Sequence, residues 1–111
     1  MATTQSQTKV PAGVNNIALG RYIIESGDTA AAITITVGFK PRYVRVQNIT
    51  SGDGMEWFEG MAAAAAVKQV TAGDKTILST LGITVADTTF IIGLDTDVNV
   101  KAEQLSWIAI G

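Results

Sequence analysis

The sequence predicts an all-β fold, a small antiparallel β-sandwich or jelly-roll-like barrel. Short segments of alternating apolar and polar residues recur along most of the chain, and turns rich in glycine separate them. Seven or eight strands at this spacing are typical of a sandwich or a barrel. The 111 residues suffice for one domain. We therefore expect a single β-sandwich domain at residues 18–111, preceded by an extended arm at residues 1–17.

The N-terminal segment, residues 1–17, is rich in Thr, Gln, Ser and Asn and shows no apolar periodicity. Pro11 and Gly13 also favour an extended chain over a packed element. One interpretation of this segment is a terminus that frays. The other is an arm that becomes ordered on a neighbouring subunit.

Four strands are predicted in the first half of the domain, at residues 21–25, 32–37, 43–47 and 55–61. In the second of them, Ile33, Ile35 and Val37 share one face and threonines occupy the other. The Ser-Gly-Asp-Gly sequence at residues 51–54 suits a tight hairpin turn. The segment MEWFEGM, residues 55–61, is then the returning strand of that hairpin.

Residues 62–70 begin with five alanines and have two interpretations. We expect a loop that leads into a short strand, because Gly60 precedes the run and β-branched residues follow it. A single helix is the alternative, since alanine is the best helix former. Residues 79–83 are expected to form an irregular connection. The remaining strands are predicted at residues 89–93, 98–100 and 105–110.

Three of the predicted strands are apolar on both faces. Neighbouring residues of a strand point to opposite faces, so Trp57 and Phe58 cannot both enter one core. The same pattern occurs at residues 90–92 and 107–110. Because a sandwich has one inner face per sheet, the outer residues need a second cover, from the Ala-rich segment or from another subunit. The alternative is that one ring lies partly exposed across a sheet edge.

Only 16% of the residues are charged, so few charges are available to solvate the surface. This low proportion favours another subunit as the cover of the outer apolar residues. We therefore predict a homo-oligomer. Its candidate contact residues are Trp57, Phe58, Met61, Trp107 and Ile108.

The composition argues against several functions. The net charge is -2, and the densest basic patch is only Lys40, Arg42 and Arg45, so nucleic-acid binding is not expected. Without cysteine or histidine, the chain can form no disulfide, no cysteine-ligated zinc site and no Ser-His-Asp or Cys-His catalytic site. The start resembles no signal peptide, and the apolar run 61–67 is too short to span a bilayer. We expect a soluble, non-secreted protein.

No residues are predicted to be catalytic or to bind a cofactor or metal. Glu56 and Glu59 are three apart on a predicted strand, and would face opposite sides instead of acting together. Residues 95–99 match the opening of a calcium loop. Val100 then replaces the required glycine and Ser106 the bidentate glutamate, so a polar turn is expected. The sequence indicates no enzyme.

Three runs, GFKPRYVRVQN, MEWFEGM and the terminal SWIAIG, resemble runs in small β-structured virion proteins of tailed bacteriophages. The resemblance covers about residues 37–111. It implies a non-enzymatic capsid decoration (cement) protein, a small sandwich that trimerises on the shell at three-fold or quasi-three-fold points. A tail or head-fibre component is the alternative, although the chain lacks the repetitive shaft typical of fibres.

The same resemblance implies location in the virion, with other copies of the chain and the major capsid protein or other virion proteins as partners. Residues 2–16 would then be the arm that grips neighbours or the shell. Its candidate contact residues are Thr3, Thr4, Gln5, Gln7, Lys9 and Val10.

A carbohydrate-binding β-sandwich is the rival from another class of function. An exposed indole could stack on a sugar, with a neighbouring acid bonding its hydroxyl groups. Trp57 with Glu56 or Glu59 could serve in this way. This alternative predicts a monomer with a shallow cleft.

Overall fold

In the computed structural model, which describes residues 16–25, 27 and 31–111, the chain forms strands and turns, and the described residues contain no helix. The strands are β1 (Ile17–Ile23), β2 (Ile33–Thr36), β3 (Tyr43–Asn48), β4 (Gly54–Phe58), β5 (Ala65–Gln69), β6 (Lys75–Val85), β7 (Thr89–Ile92) and β8 (Gln104–Ile110). The predicted all-β fold is confirmed. Strand β1 begins at Ile17. The arm candidates Thr3, Thr4, Gln5, Gln7, Lys9 and Val10 lie outside the described residues.

All eight strands belong to one antiparallel sheet with the order β1-β8-β3-β4-β5-β6-β7-β2. The sheet is curled into a half-barrel, in keeping with a small barrel-like or sandwich-like fold. Strands β8 and β7 lie far apart in this order, yet the rings of Trp107 and Phe90 pack edge to face with centroids 5.4 Å apart. The curl therefore brings two distant parts of the sheet together around one core.

The alternation of residues along each strand separates an inner face from an outer face. In β3, for example, Val44 and Val46 are fully buried, while Arg45 between them is exposed. The inner face and the segments next to it contribute the buried apolar cluster. Its members are Ile24, Ile33, Val44, Val46, Met55, Trp57, Ala66, Ile83, Phe90, Ile92, Val98, Leu105 and Ala109.

Two of the sequence predictions for the central region are confirmed. Strands β3 and β4 form an antiparallel hairpin, and the turn after β3 is held by the Asn48 side chain, whose Oδ1 accepts hydrogen bonds from the Thr50 and Ser51 amides. The Ala-rich segment leads into β5, as expected, and forms a loop and strand instead of the alternative helix.

The prediction of a connection at residues 79–83 is wrong, because these residues lie inside the long strand β6. The Gly82 amide donates to the Ala64 carbonyl and the Gly93 amide donates to the Gly82 carbonyl, so the backbone stays within the sheet. The irregularity suggested by the sequence is present within β6, because the pairing with β5 passes from Ala65 with Ile83 to Ala66 with Leu78 and leaves residues 79–82 without a register partner on β5. Leu81 adopts a positive φ of 61° in the same region.

The predicted strand at residues 98–100 is also wrong, because this segment belongs to the connection between β7 and β8. Its start is a turn in which the amides of Asp97 and Val98 donate to Asp95 Oδ2. The Asn99 amide donates to the Asp95 carbonyl. These local bonds compete with strand pairing, as aspartate side chains often do. The buried Val98 side chain fixes the connection on the core.

Candidate functional site

The outer face of the sheet is the candidate functional site, and the strand registers arrange its side chains in three parallel rows. The apolar row contains Ile17, Ile110, Tyr43 and Phe58. The mixed row contains Leu19, Ile108, Arg45, Glu56, Val67 and Ile77. The polar row contains Arg21, Ser106, Gln47, Gly54, Gln69 and Lys75.

The outer face exposes large apolar side chains. Leu19 is 70% exposed and Ile77 is 74% exposed, while Ile17 and Phe58 are each about half exposed. Contiguous apolar patches on a protein surface often mark a site of protein–protein contact. The arrangement of these residues along two rows is therefore typical of a binding face.

An aromatic pair at the β4 end of the apolar row fixes one of the acids of the outer face. The rings of Tyr43 and Phe58 lie 5.3 Å apart and are tilted by 58°. The Tyr43 hydroxyl donates a hydrogen bond of 2.6 Å to Glu56 Oε2. Burial, together with this hydrogen bond and the negative charge of Glu56, raises the pKa of Tyr43 to about 12. The Glu56 carboxylate is thereby held in place beside the ring.

Arg45 and Glu56 face each other on β3 and β4 at the centre of the mixed row. Ion pairs within the described part of the chain join Arg42 to Glu59 and Lys68 to two aspartates, and Arg45 takes part in none of them. The centre of the outer face thus presents one basic and one acidic group side by side.

The structure divides the five predicted contact residues between the two faces. Phe58 and Ile108 lie on the outer face, as the alternation predicts. Trp57 is buried, and its indole N–H donates to the Ala62 carbonyl at 3.2 Å. Met61 and Trp107 are partly buried and pack against the core. The burial of Trp57 corrects its interpretation as a surface contact residue, whereas the role of the partly buried Met61 and Trp107 in contacts between copies stays a prediction.

The position of Trp57 also bears on the carbohydrate-binding alternative. A sugar-stacking indole must be exposed, whereas this one is 8% exposed. The acids proposed to assist it have partners within the chain, Tyr43 for Glu56 and Arg42 for Glu59. The arrangement on which that alternative depended is absent.

Several residues of the outer face were missed from the sequence. Ile17 and Leu19 lie in the first three residues of β1, a segment interpreted as part of the arm and its junction. Their alternation with Ala18 was a usable signal. Ile77 was missed because β6 was not recognised as a strand. Tyr43 was placed on a predicted strand, but its contact with Phe58 depends on the register with β4.

A second group of charges lies on the inner side, where Lys68 reaches the loop after β7. Lys68 Nζ lies 3.0 Å from Asp95 Oδ1 and 2.6 Å from Asp97 Oδ2. Burial works to lower the pKa of Lys68, but its hydrogen bonds and charge interactions with Asp97 and Asp95 outweigh it and raise the pKa. The two acids of the calcium-loop pattern at residues 95–99, Asp95 and Asp97, are thus paired with the ammonium group of Lys68.

An open hollow of about 280 Å³ is lined by Leu19, Arg45, Gln47, Ser106, Trp107 and Ile108, and five of these six residues, all except Trp107, belong to the rows of the outer face. Across residues 16–25, 27 and 31–111, no three His, Cys, Asp or Glu side chains form a group that could hold a metal ion. In the same part of the chain, no helix is long and apolar enough to cross a membrane.

The raised pKa of Tyr43 predicts a loss of stability at alkaline pH. Between about pH 10 and 12 an unfolded tyrosine loses its proton while the folded one keeps it, so the free energy of unfolding falls as pH rises. Urea unfolding of the wild type and of Tyr43→Phe, measured at neutral pH and at about pH 11, should show the steeper loss in the wild type. Lys68 is present in both proteins, so its own raised pKa cancels in the comparison. Equal pH dependence in the two proteins would contradict the assignment.

Comparison of the chain with protein-family models, with curated proteins and with solved structures finds no match in any of the three.

Proposed function

We propose that the protein is a non-enzymatic structural component of a tailed-bacteriophage virion, a capsid decoration (cement) protein that binds the shell as a homo-oligomer. The observation that supports this most directly is the exposed apolar surface of the outer face, where Leu19 is 70% and Ile77 is 74% exposed. The resemblance of three sequence runs to small virion proteins supplies the biological context.

The exposed side chains of the outer face support association of copies through this face. Covering apolar surface contributes about 25 cal/mol per Å², and two of the three rows consist largely of apolar groups. Each copy would thereby complete a second layer for its neighbour. The resemblance implies three copies on the shell, whereas like faces that cover one another join two copies, and sedimentation of the purified chain distinguishes a trimer from a dimer.

Stabilisation of the shell would follow by linkage. A protein that binds only the assembled shell adds contacts that the unassembled subunits lack, and so favours assembly. Several copies joined through their outer faces gain avidity, since the second contact becomes intramolecular. The major capsid protein is the proposed partner, and residues 2–16 are the proposed arm that contacts it.

Electron microscopy of capsids prepared with and without the protein tests the proposal. We expect added density on the shell with the wild type and reduced occupancy with Leu19→Glu, which places a charge on the outer face. Thr34→Glu is the matched control, because Thr34 is exposed on β2 at the other end of the sheet order and should keep full occupancy. Absence of density on the shell would contradict the proposal. Density on the tail would favour the tail or fibre alternative.

Deleting residues 2–16 tests the arm separately in the same preparations. The proposal predicts lower occupancy on the shell with the oligomeric state preserved. Unchanged binding would remove the arm from the interface.

A further inference from the structure

We infer that the outer face binds the same face of a second copy, related by a two-fold axis that runs along the strands between β3 and β4. The inference rests on the proposed function in taking the outer face as the surface that joins copies. Beyond the proposed function, the inference states that a second copy covers the outer face and which residues of the two copies meet. A pair related in this way is isologous, so each contact occurs twice.

The charges at the centre of the face are self-complementary under this symmetry. The axis places β3 of one copy over β4 of the other. Arg45 then meets Glu56 of the second copy, and Glu56 meets Arg45, because these residues are register partners on β3 and β4. Arg45 forms no ion pair within the described part of its own chain, so its guanidinium is available to the second copy. Tyr43 holds the Glu56 carboxylate at this position.

The apolar groups also match one another. The axis places β8 over β5 and β1 over β6, in accordance with the sheet order. Facing pairs in the mixed and apolar rows are Ile108 with Val67, Leu19 with Ile77, and Tyr43 with Phe58. Each of these pairs joins two mainly apolar side chains. The two most exposed of them, Leu19 and Ile77, would cover each other.

The polar row contains two polar pairs and one unfavourable pair. Gln47 faces Gly54, over which the Gln47 side chain of the same copy already lies, and Ser106 faces Gln69. Arg21 faces Lys75, a like-charge pair. Both are exposed and lie on the outermost strands of the contact, so their repulsion is screened by salt.

The size of the face sets the expected strength of the contact. With strands about 4.8 Å apart and a two-residue repeat of about 6.7 Å, the sixteen positions of the three rows cover roughly 500 Å² per copy. About 1,000 Å² in total is at the lower end for a specific interface, so the pair should form in a concentration-dependent manner. Two sheets stacked in this orientation would form an aligned sandwich.

A charge-swap experiment in solution tests the pairing. In Arg45→Glu each copy carries acids at both central positions, and in Glu56→Arg each copy carries arginines at both. Like charges facing each other across an interface are strongly unfavourable, so each variant should raise the Kd for self-association at least about 100-fold. Mixing the two variants should restore association, since every facing pair is then acid against arginine. Sedimentation velocity measures all three samples.

Each variant keeps a like-charge pair at positions 45 and 56 within its own chain, and mixing does not change this pair. Restored association in the mixed sample therefore reports the contact between copies and not an effect within one chain. Circular dichroism establishes that both variants are folded. A wild-type protein that is monomeric or trimeric would overturn the two-fold pairing, as would folded variants that self-associate normally or fail to associate when mixed. Capsid binding by a trimer would leave the proposed function standing, and capsid binding by a monomer would leave the virion role without the homo-oligomer, whereas a dimer without capsid binding would support the pairing alone.

Discussion

Replacing Lys68 with methionine should lower the free energy of unfolding by about 3–5 kcal/mol, the largest effect we expect from a single charged residue. Methionine keeps the apolar stem but removes the ammonium group that pairs with Asp95 and Asp97. The Asp95 side chain is 6% exposed and would remain buried without its counter-charge. Asp97 is 47% exposed and contributes less, since water can solvate it. Urea denaturation monitored by circular dichroism measures the change.

Lys75→Met provides the matched control for this prediction. Lys75 is an exposed lysine on β6, the strand next to β5, and it has no ion pair within the described residues. Its replacement should change the free energy of unfolding by less than about 0.5 kcal/mol. If Lys68→Met were as mild as Lys75→Met, the ion cluster would have no structural role.

Replacing Asn48 with alanine should lower the free energy of unfolding by about 3 kcal/mol. The side chain is fully buried and forms four hydrogen bonds. Its Nδ2 donates to the Val98 carbonyl and to Glu103 Oε1, and its Oδ1 accepts from the turn amides of residues 50 and 51. Alanine would leave the buried Val98 carbonyl without this donor and loosen both the hairpin turn and the β7–β8 connection.

Gln47→Ala is the control for Asn48→Ala, because it removes the neighbouring amide of the same strand from the outer face. Gln47 Nε2 donates to the Gly52 carbonyl at 2.9 Å in an exposed hydrogen bond. Water can replace that bond, so the expected cost is below about 1 kcal/mol. Thermal unfolding compares the two variants. A larger cost for Gln47→Ala than for Asn48→Ala would contradict the importance of the buried network.

Alternation was the part of the fold that the sequence could predict. Because side chains along a strand have a period of two, the buried Val44 and Val46 and the division of Trp57 and Phe58 follow from the order of residues alone. The hairpin turn at residues 51–54 follows from its glycines. These features depend on neighbours in the chain, and they were predicted without knowledge of the sheet.

The features that could not be predicted depend on residues far apart in the chain. Lys68 meets Asp95 across 27 residues, and Asn48 meets Val98 across 50. The same holds for the outer face, since its rows require the register of six strands. Trp107 is an example of what the sequence could not predict. Its aromatic side chain indicates that it contacts other residues, but the contact with Phe90 is seen only in the structure.

The two sides of the sheet therefore differ in role, since the inner side forms the core and the outer side is the proposed contact surface. The inner side contains the apolar cluster, closed by the connection in which Val98 is buried and Asp95 pairs with Lys68. The outer side carries exposed apolar rows around a central pair of opposite charges. Substitutions on the inner side should act on folding, and those on the outer side on association.

Light scattering from the purified wild-type chain over a series of dilutions tests the central claim, that copies of the chain cover one another's outer face. We predict the mass of two chains at high concentration and a return to the mass of one chain on dilution. A constant mass of 11.6 kDa at every concentration would contradict the claim.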